Sequence, residues 1–179
     1  EENRPMAPDV GSPSVSVVIP GKKEAENLPE LIEEIRVALG ARAFEIIVID
    51  DGSDDGTDRA ILALMRERPW LRLVRHAQSC GQSAAVRTGL LAAKAPIVVT
   101  IDGDGQNDPA FMPALIDALE AGGPMMGIAA GQRLKRTDSG AKRVASRVAN
   151  KVRGAILQDG TRDSGCGLKA LRREMFLLF

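Results

Sequence analysis

Along the chain, short apolar runs alternate with stretches in which apolar residues recur every three or four positions. The runs are VSVVI (15–19), FEIIVI (44–49), LRLV (71–74), PIVVTI (96–101) and MMGIAA (125–130). Those at 44 and 96 are nearly unbroken, as expected of strands covered on both faces of a parallel sheet. Between the first two runs, Leu28, Leu31, Ile32, Ile35 and Leu39 share one helical face. Asn27, with Glu30 three residues on, predicts a capping-box start for that helix, and Gly40 its stop. Further helices are predicted from about Thr57 to Arg68, ended by Pro69, and from about Gly81 to Lys94. A fourth begins with Asp108 as cap and Pro109 at its first position. This order predicts an α/β fold, an open and mostly parallel sheet flanked by helices and joined by right-handed crossovers.

Toward the C-terminus, residues 140 to 154 read as one more helix. Val144, Val148 and Val152 form an apolar stripe, and Arg143, Arg147 and Lys151 a basic stripe beside it. LRREMFLLF (171–179) reads as a helix still under way at the last residue, which predicts a domain cut short there. The opening EENRPMAPDVGSPS is polar and proline-rich without an apolar h-region. Residues 1–13 are therefore expected to be a flexible leader and not a signal peptide, with 14–179 forming a single domain.

Composition narrows the class. The chain has 179 residues, 44% of them hydrophobic, enough for one domain with a real core. No apolar stretch approaches the roughly 20 residues needed to span a bilayer. Two cysteines, Cys80 and Cys166, make no disulfide framework and lack metal-ligand spacing, which fits a reducing cytoplasm. Cys166, between two glycines, reads as a small packed residue in preference to a reactive thiol. Aromatics are only 3%, leaving no stacking platform for nucleic acid. A net charge of zero hides a division: residues 1–130 hold 12 Lys/Arg against 20 Asp/Glu, and residues 131–179 hold 12 against 4. The basic segment 131–179 is expected to meet an anion while the acidic part holds a cation, the alternative being solvated faces that merely segregate.

In open parallel sheets ligands bind outside the carboxyl ends of the strands. Two acidic loops fall there: DDGSDDGT (50–57) and DGDGQNDP (102–109). Turn chemistry alone can explain one such loop, but two on one edge suggest an ion. The oxygens of Asp104 and Gln106 can converge on a hard cation, with Asp102 close behind. Mg²⁺ or Mn²⁺ typically takes one or two carboxylates and completes its shell with phosphate oxygens and water. An EF-hand is excluded, because its sixth and twelfth positions would be Asn107 and Pro113. No glycine-rich phosphate loop is present, which favours a diphosphate held through the metal.

VSVVIP with Glu24 soon after, VIDDGSDDGT, TIDGDGQNDP, AGQRLKR, SRVAN and DSGCGLKALRRE occur in order. Together they resemble the blocks of inverting family 2 glycosyltransferases of the GT-A fold, most of all the dolichol-phosphate mannose synthase-like group that uses polyprenyl-phosphate acceptors. The resemblance covers roughly residues 14 to 175. It implies that Pro20, Glu24, Asp50, Asp51, Asp102 and Gly103 bind a GDP- or UDP-linked sugar. Asp102, Asp104 and Gln106 would hold Mg²⁺ or Mn²⁺ on the diphosphate. Arg133 would face the acceptor phosphate, with Lys142, Arg143, Ser146 and Arg147 completing that site, and Asp163 and Ser164 would line the donor sugar and acceptor. Where the family commonly has P-x-Y-N-E, this chain has Pro20-Gly21-Lys22-Lys23-Glu24.

The implied reaction is direct displacement of the nucleotide diphosphate by a polyprenyl (dolichyl or undecaprenyl) phosphate, at the cytoplasmic face of a membrane to which the protein binds peripherally. A phosphate monoester is largely dianionic at neutral pH and does not strictly need a general base. A hydroxyl acceptor would need one, with Asp163 the candidate. His76 reads as structural or solvated. The basic stripe reads either as attraction to anionic lipid or as a solvent face. Two alternatives stand: a catalytically silent nucleotide-sugar or lipid-binding domain, and a haloacid dehalogenase-type phosphohydrolase, which also places Asp-x-Asp after a parallel strand.

Overall fold

The computed structural model describes residues 12–131 and 166–176. Its strands are β1 (Val15–Gly21), β2 (Phe44–Asp50), β3 (Leu71–Arg75), β4 (Ile97–Thr100), β5 (Ile128–Ala130) and β6 (Lys169–Arg172). Its helices are α1 (Leu28–Leu39), α2 (Thr57–Met65), α3 (Gln82–Ala92) and α4 (Met112–Ala121), with a 3₁₀ turn at Pro109–Phe111 and a last turn at Arg173–Phe176. One six-stranded sheet runs β3-β2-β1-β4-β6-β5. The first four strands pair in parallel, while β6 is antiparallel to both β4 and β5.

The sheet is covered on both faces, which is why its central strands carry no polar alternation. Val17, Ile19, Ile46, Val48, Val99 and Ile101 pack with α1, α2 and α4, whereas Val18, Ile47, Ile49 and Val98 pack with Ala85 and Leu90 of α3. All five residues of the predicted α1 stripe are buried, each stabilising by about 1.5–3 kcal/mol relative to exposure. Gly40 ends α1 at φ 57°, a conformation in which glycine carries no Cβ penalty. Gly89 lets α3 lie directly on β1, since a Cβ there would come 2.2 Å from Val18 Cγ1.

A buried polar network closes the amino end of the sheet. Ser16 Oγ donates to Glu45 Oε1 at 2.7 Å, Lys94 N–H donates to the same oxygen at 2.7 Å, and Arg72 donates to Oε2 at 2.7 Å. Burial opposes the Glu45 charge, but these donors outweigh it, and the carboxyl titrates below its ordinary value.

Three expectations are corrected. Asn27 stands at the helix start without a capping bond; its amide instead donates to Glu24 Oε2 at 2.6 Å, which leaves no capping box. The second helix stops at Met65, short of the predicted Arg68. Leu171 and Arg172, read from sequence as the beginning of a helix, belong instead to β6, and the helical turn starts at Arg173. KALR alternates only weakly, so its strand state comes from pairing with β4 and β5 and not from local preference.

Candidate active site

The strand order reverses between β1 and β4: β2 and β3 lie to one side of β1 and β4 to the other. The crevice at the carboxyl ends of these two strands is where open α/β sheets take ligands. Pro20 and Glu24 follow β1, and Asp102 and Asp104 follow β4, so the topology brings both predicted sets to one place. Gly103 joins them: a Cβ there would lie 3.5 Å from Pro20 O, from Glu24 Cγ and from Leu28 Cδ2.

The three carboxylates of the 102–108 loop have three different surroundings. Asp108 caps the following 3₁₀ turn, its Oδ1 accepting from Ala110 N at 2.9 Å, as its position predicts. Asp102 is half-buried, and its Oδ1 accepts from the Gln82 side-chain amide at 2.7 Å. Asp104 is exposed and touches its own loop through Oδ1, which accepts from Gln106 N at 3.1 Å. Gln106 is exposed beside it.

Gly167 presses against this loop from the far end of the chain. A Cβ at that position would lie 2.0 Å from Asp102 Oδ2, a separation side chains do not tolerate. Thr100 holds the glycine in place by donating its hydroxyl to Gly167 O at 2.9 Å. The preceding Cys166 is buried, with Sγ 3.6 Å from the Oδ1 of buried Asn107, in agreement with a packed thiol.

The 50–57 loop uses most of its charge internally. Asp50 is fully buried; its Oδ1 accepts from Ser53 N at 2.9 Å, and its Oδ2 lies 3.2 Å from Arg75 Nε without hydrogen-bond alignment. Asp55 accepts from Thr57 Oγ1 at 2.6 Å and from Ala25 N at 3.2 Å, and Asp54 pairs with exposed Lys23. These bonds tie the 50–57 loop to the turn that presents Glu24, whose own N–H donates to Thr57 Oγ1 at 3.2 Å.

Asp51 is engaged more completely. His76 Nδ1 lies 2.7 Å and Cys80 N 2.8 Å from its Oδ1, while Ser79 Oγ at 2.7 Å and Gly81 N at 2.9 Å donate to its Oδ2. Burial works against its charge, yet these four partners outweigh it and hold the carboxyl well below the usual carboxylate range. Asp51, predicted as a donor contact, is buried beside Asp50 and anchors the 76–81 loop. Gly52, at φ 72°, permits this approach, because a Cβ would fall 2.8 Å from the backbone of Gln78 and Ser79. His76 is held at both ring nitrogens, its Nε2 lying 2.9 Å from Thr88 Oγ1.

Sequence reasoning did not find Gln82, Gly167, Thr88 or Asn107. Gln82 left a trace as a polar residue at the start of a helix on the ligand-binding edge, and Asn107 and Gly167 lie within the TIDGDGQNDP and DSGCGLKALRRE blocks without standing out in them. Arg133, Lys142, Arg143, Ser146, Arg147, Asp163 and Ser164 lie outside the described residues.

The residues present suit a hard divalent ion. Asp102 is oriented by Gln82, Asp104 faces solvent, and Gly167, lacking a Cβ, leaves Asp102 Oδ2 the space it occupies. The metal-ligand types at this edge match oxygen-preferring Mg²⁺ or Mn²⁺.

An open sheet reversing beside such a pair of carboxylates, with an antiparallel β6 inserted next to β4, is the architecture of the GT-A glycosyltransferases. Glucosyl-3-phosphoglycerate synthase from Mycobacterium tuberculosis, solved with Mn²⁺, UDP-glucose and glycerol 3-phosphate, superposes with TM-score 0.72 at 26% identity, covering 91% of this chain and 58% of that one. A mannosyltransferase from Pyrobaculum calidifontis, solved with GDP-mannose and Mn²⁺, shares the fold at 24% identity and TM-score 0.67, over 98% of this chain and 50% of that one. Residues 16–178 match glycosyl transferase family 2, and the chain belongs to that family. Among similar sequences is the undecaprenyl-phosphate 4-deoxy-4-formamido-L-arabinose transferase of Aeromonas hydrophila, 36% identical over 164 residues, covering 90% of this chain and 49% of the relative. The Yersinia enterocolitica transferase of the same name is 34% identical over the same length. The chain thus spans about half the length of these curated relatives. Family membership sets aside the phosphohydrolase alternative.

Proposed function

We propose that this chain is a polyprenyl-phosphate glycosyltransferase domain, which moves a sugar from a nucleotide diphosphate to a lipid phosphate such as undecaprenyl phosphate. The observation that carries the reading is the pairing of Asp102, fixed by Gln82 at 2.7 Å, with exposed Asp104 at the β1/β4 reversal. Similar proteins named as undecaprenyl-phosphate sugar transferases support the acceptor class.

In this reading Asp102, Asp104 and Gln106 would hold Mg²⁺ or Mn²⁺, with Asp102 also near the ribose. The ion, when bound, supplies Lewis-acid stabilisation to the departing diphosphate. Pro20, Glu24, Asp50, Asp51 and Gly103 form the wall on which base and ribose rest, and Asp51 also keeps the neighbouring loop in register. Arg133, with Lys142, Arg143, Ser146 and Arg147, holds the acceptor phosphate in line, which is catalysis by positioning. Asp163 and Ser164 line the sugar. No helix among the described residues is long and apolar enough to cross a membrane. Access to a lipid phosphate would then come from peripheral binding through the basic segment 131–179, at about 1 kcal/mol per cation near an anionic surface.

The test is transfer of radiolabelled sugar from UDP- and GDP-linked donors to undecaprenyl phosphate in anionic vesicles. Transfer that requires Mn²⁺ or Mg²⁺ and is lost in Asp104→Ala supports the assignment. Donor binding without turnover would instead identify a silent binding domain.

A further inference from the structure

We propose that Asp51, His76 and Cys80 form a site for a thiophilic divalent cation, with Zn²⁺ as its type. One ligand atom from each of the three lies within 4.8 Å of the other two. Two are already in contact, His76 Nδ1 standing 2.7 Å from Asp51 Oδ1. Tetrahedral zinc takes nitrogen and oxygen at about 2.0–2.2 Å and thiolate sulfur at about 2.3 Å. Side-chain shifts on the order of an ångström therefore admit an ion between the three groups. Thiolate and imidazole select Zn²⁺ over Mg²⁺ and Mn²⁺, so this site and the Asp104–Gln106 edge choose different metals and share no residue.

The surroundings are those of a built site. A ligating imidazole is normally held through its second nitrogen, and here Thr88 Oγ1 lies 2.9 Å from His76 Nε2. Without an ion, Nδ1–H donates to the Asp51 carboxylate and the Thr88 hydroxyl donates to Nε2. With one, Nδ1 binds the metal, and Nε2–H donates to the same hydroxyl, now an acceptor. Cys80 would bind as the thiolate, giving up its S–H proton on coordination. Ser79 Oγ and Gly81 N, at 2.7 and 2.9 Å from Asp51 Oδ2, keep the carboxylate aimed when its other oxygen turns to the ion. Cys80 is exposed, which provides an entry path and leaves the fourth coordination position to water. Such an ion would pin the loop that leads into Gln82, whose amide sits 2.7 Å from Asp102.

Cobalt reports the site directly and needs no turnover. Co²⁺ is titrated into the full chain in a non-thiol reductant, without nucleotide. The expected result is a thiolate-to-cobalt charge-transfer band in the near ultraviolet that saturates at one equivalent, is displaced by Zn²⁺ and resists Mg²⁺. Cys80→Ser, checked for fold by circular dichroism, should abolish the band although Cys166 remains. Thr88→Val should weaken Zn²⁺ binding about ten- to a hundredfold. Absence of the band in the wild type, its survival in Cys80→Ser, or displacement by Mg²⁺ as readily as by Zn²⁺ would overturn the proposal. An unchanged Zn²⁺ affinity in Thr88→Val would remove the orienting role given to that hydroxyl.

Discussion

Gln82 and Asp102, 20 residues apart in sequence, meet at 2.7 Å through a side-chain amide donating to a carboxylate. The bond joins the start of α3 to the end of β4 and so ties the 76–81 loop to the acidic loop. Hydrogen bonds to charged groups contribute about 1.5–3 kcal/mol. Gln82→Ala is therefore expected to lower kcat/KM for sugar transfer about tenfold or more. Gln82→Glu should be worse, because it sets two carboxylates against each other. Steady-state kinetics across a Mn²⁺ series measure both, and full activity in either variant would contradict the positioning role.

Gly167→Ala should be nearly inactive while remaining folded. Its new methyl would fall where Asp102 Oδ2 now lies, 2.0 Å away, so either Asp102 rotates or β6 shifts. Donor affinity by calorimetry, compared with the thermal midpoint, separates a local displacement from a general loss of stability.

Acid should unfold the protein in a way traceable to two residues. Asp51 and Glu45 both titrate below their ordinary values in the folded chain. The unfolded chain then binds more protons in the acid range, so stability rises with pH there. This contribution is complete above about pH 5 and declines from about pH 4 downward, through the folded values. Urea midpoints at pH 7, 5 and 3.5 check the slope. Asp51→Asn should flatten it and lower the pH 7 midpoint by about 1–3 kcal/mol equivalent, since four donors lose their anion.

Within α1, the two faces should respond differently. Ile35 is fully buried and Val37 is 64% exposed. Ile35→Ala is expected to cost about 2–5 kcal/mol, and Val37→Ala about 0.5 kcal/mol or less. Equal losses in chemical denaturation would mean that the helix packs through another face.

The elements of the sheet were legible where burial and period agree. The unbroken runs at 44–49 and 96–101 became central strands, and the Leu28–Leu39 stripe became the buried face of α1. β6 was hidden because KALR has little strand character, and its state depends on partners far away in sequence. In the site, the Asp102–Asp104 pair was legible because turn and ligand chemistry occupy consecutive residues. The internal role of Asp51 was not, since it rests on contacts 25 to 30 residues away whose donors include two backbone amides. Composition records nothing of backbone donors. Gly167 fell inside the DSGCGLKALRRE block without being singled out for a related reason: its importance lies in the atoms it lacks.

Among the described residues β5 pairs with β6 alone, and β6 is made after it. During synthesis the outer side of β4 therefore stays open until residues 169–172 emerge. In that interval the nascent sheet presents an unprotected edge to neighbouring chains. Chaperone occupancy on stalled ribosomes should fall sharply once β6 has cleared the exit tunnel.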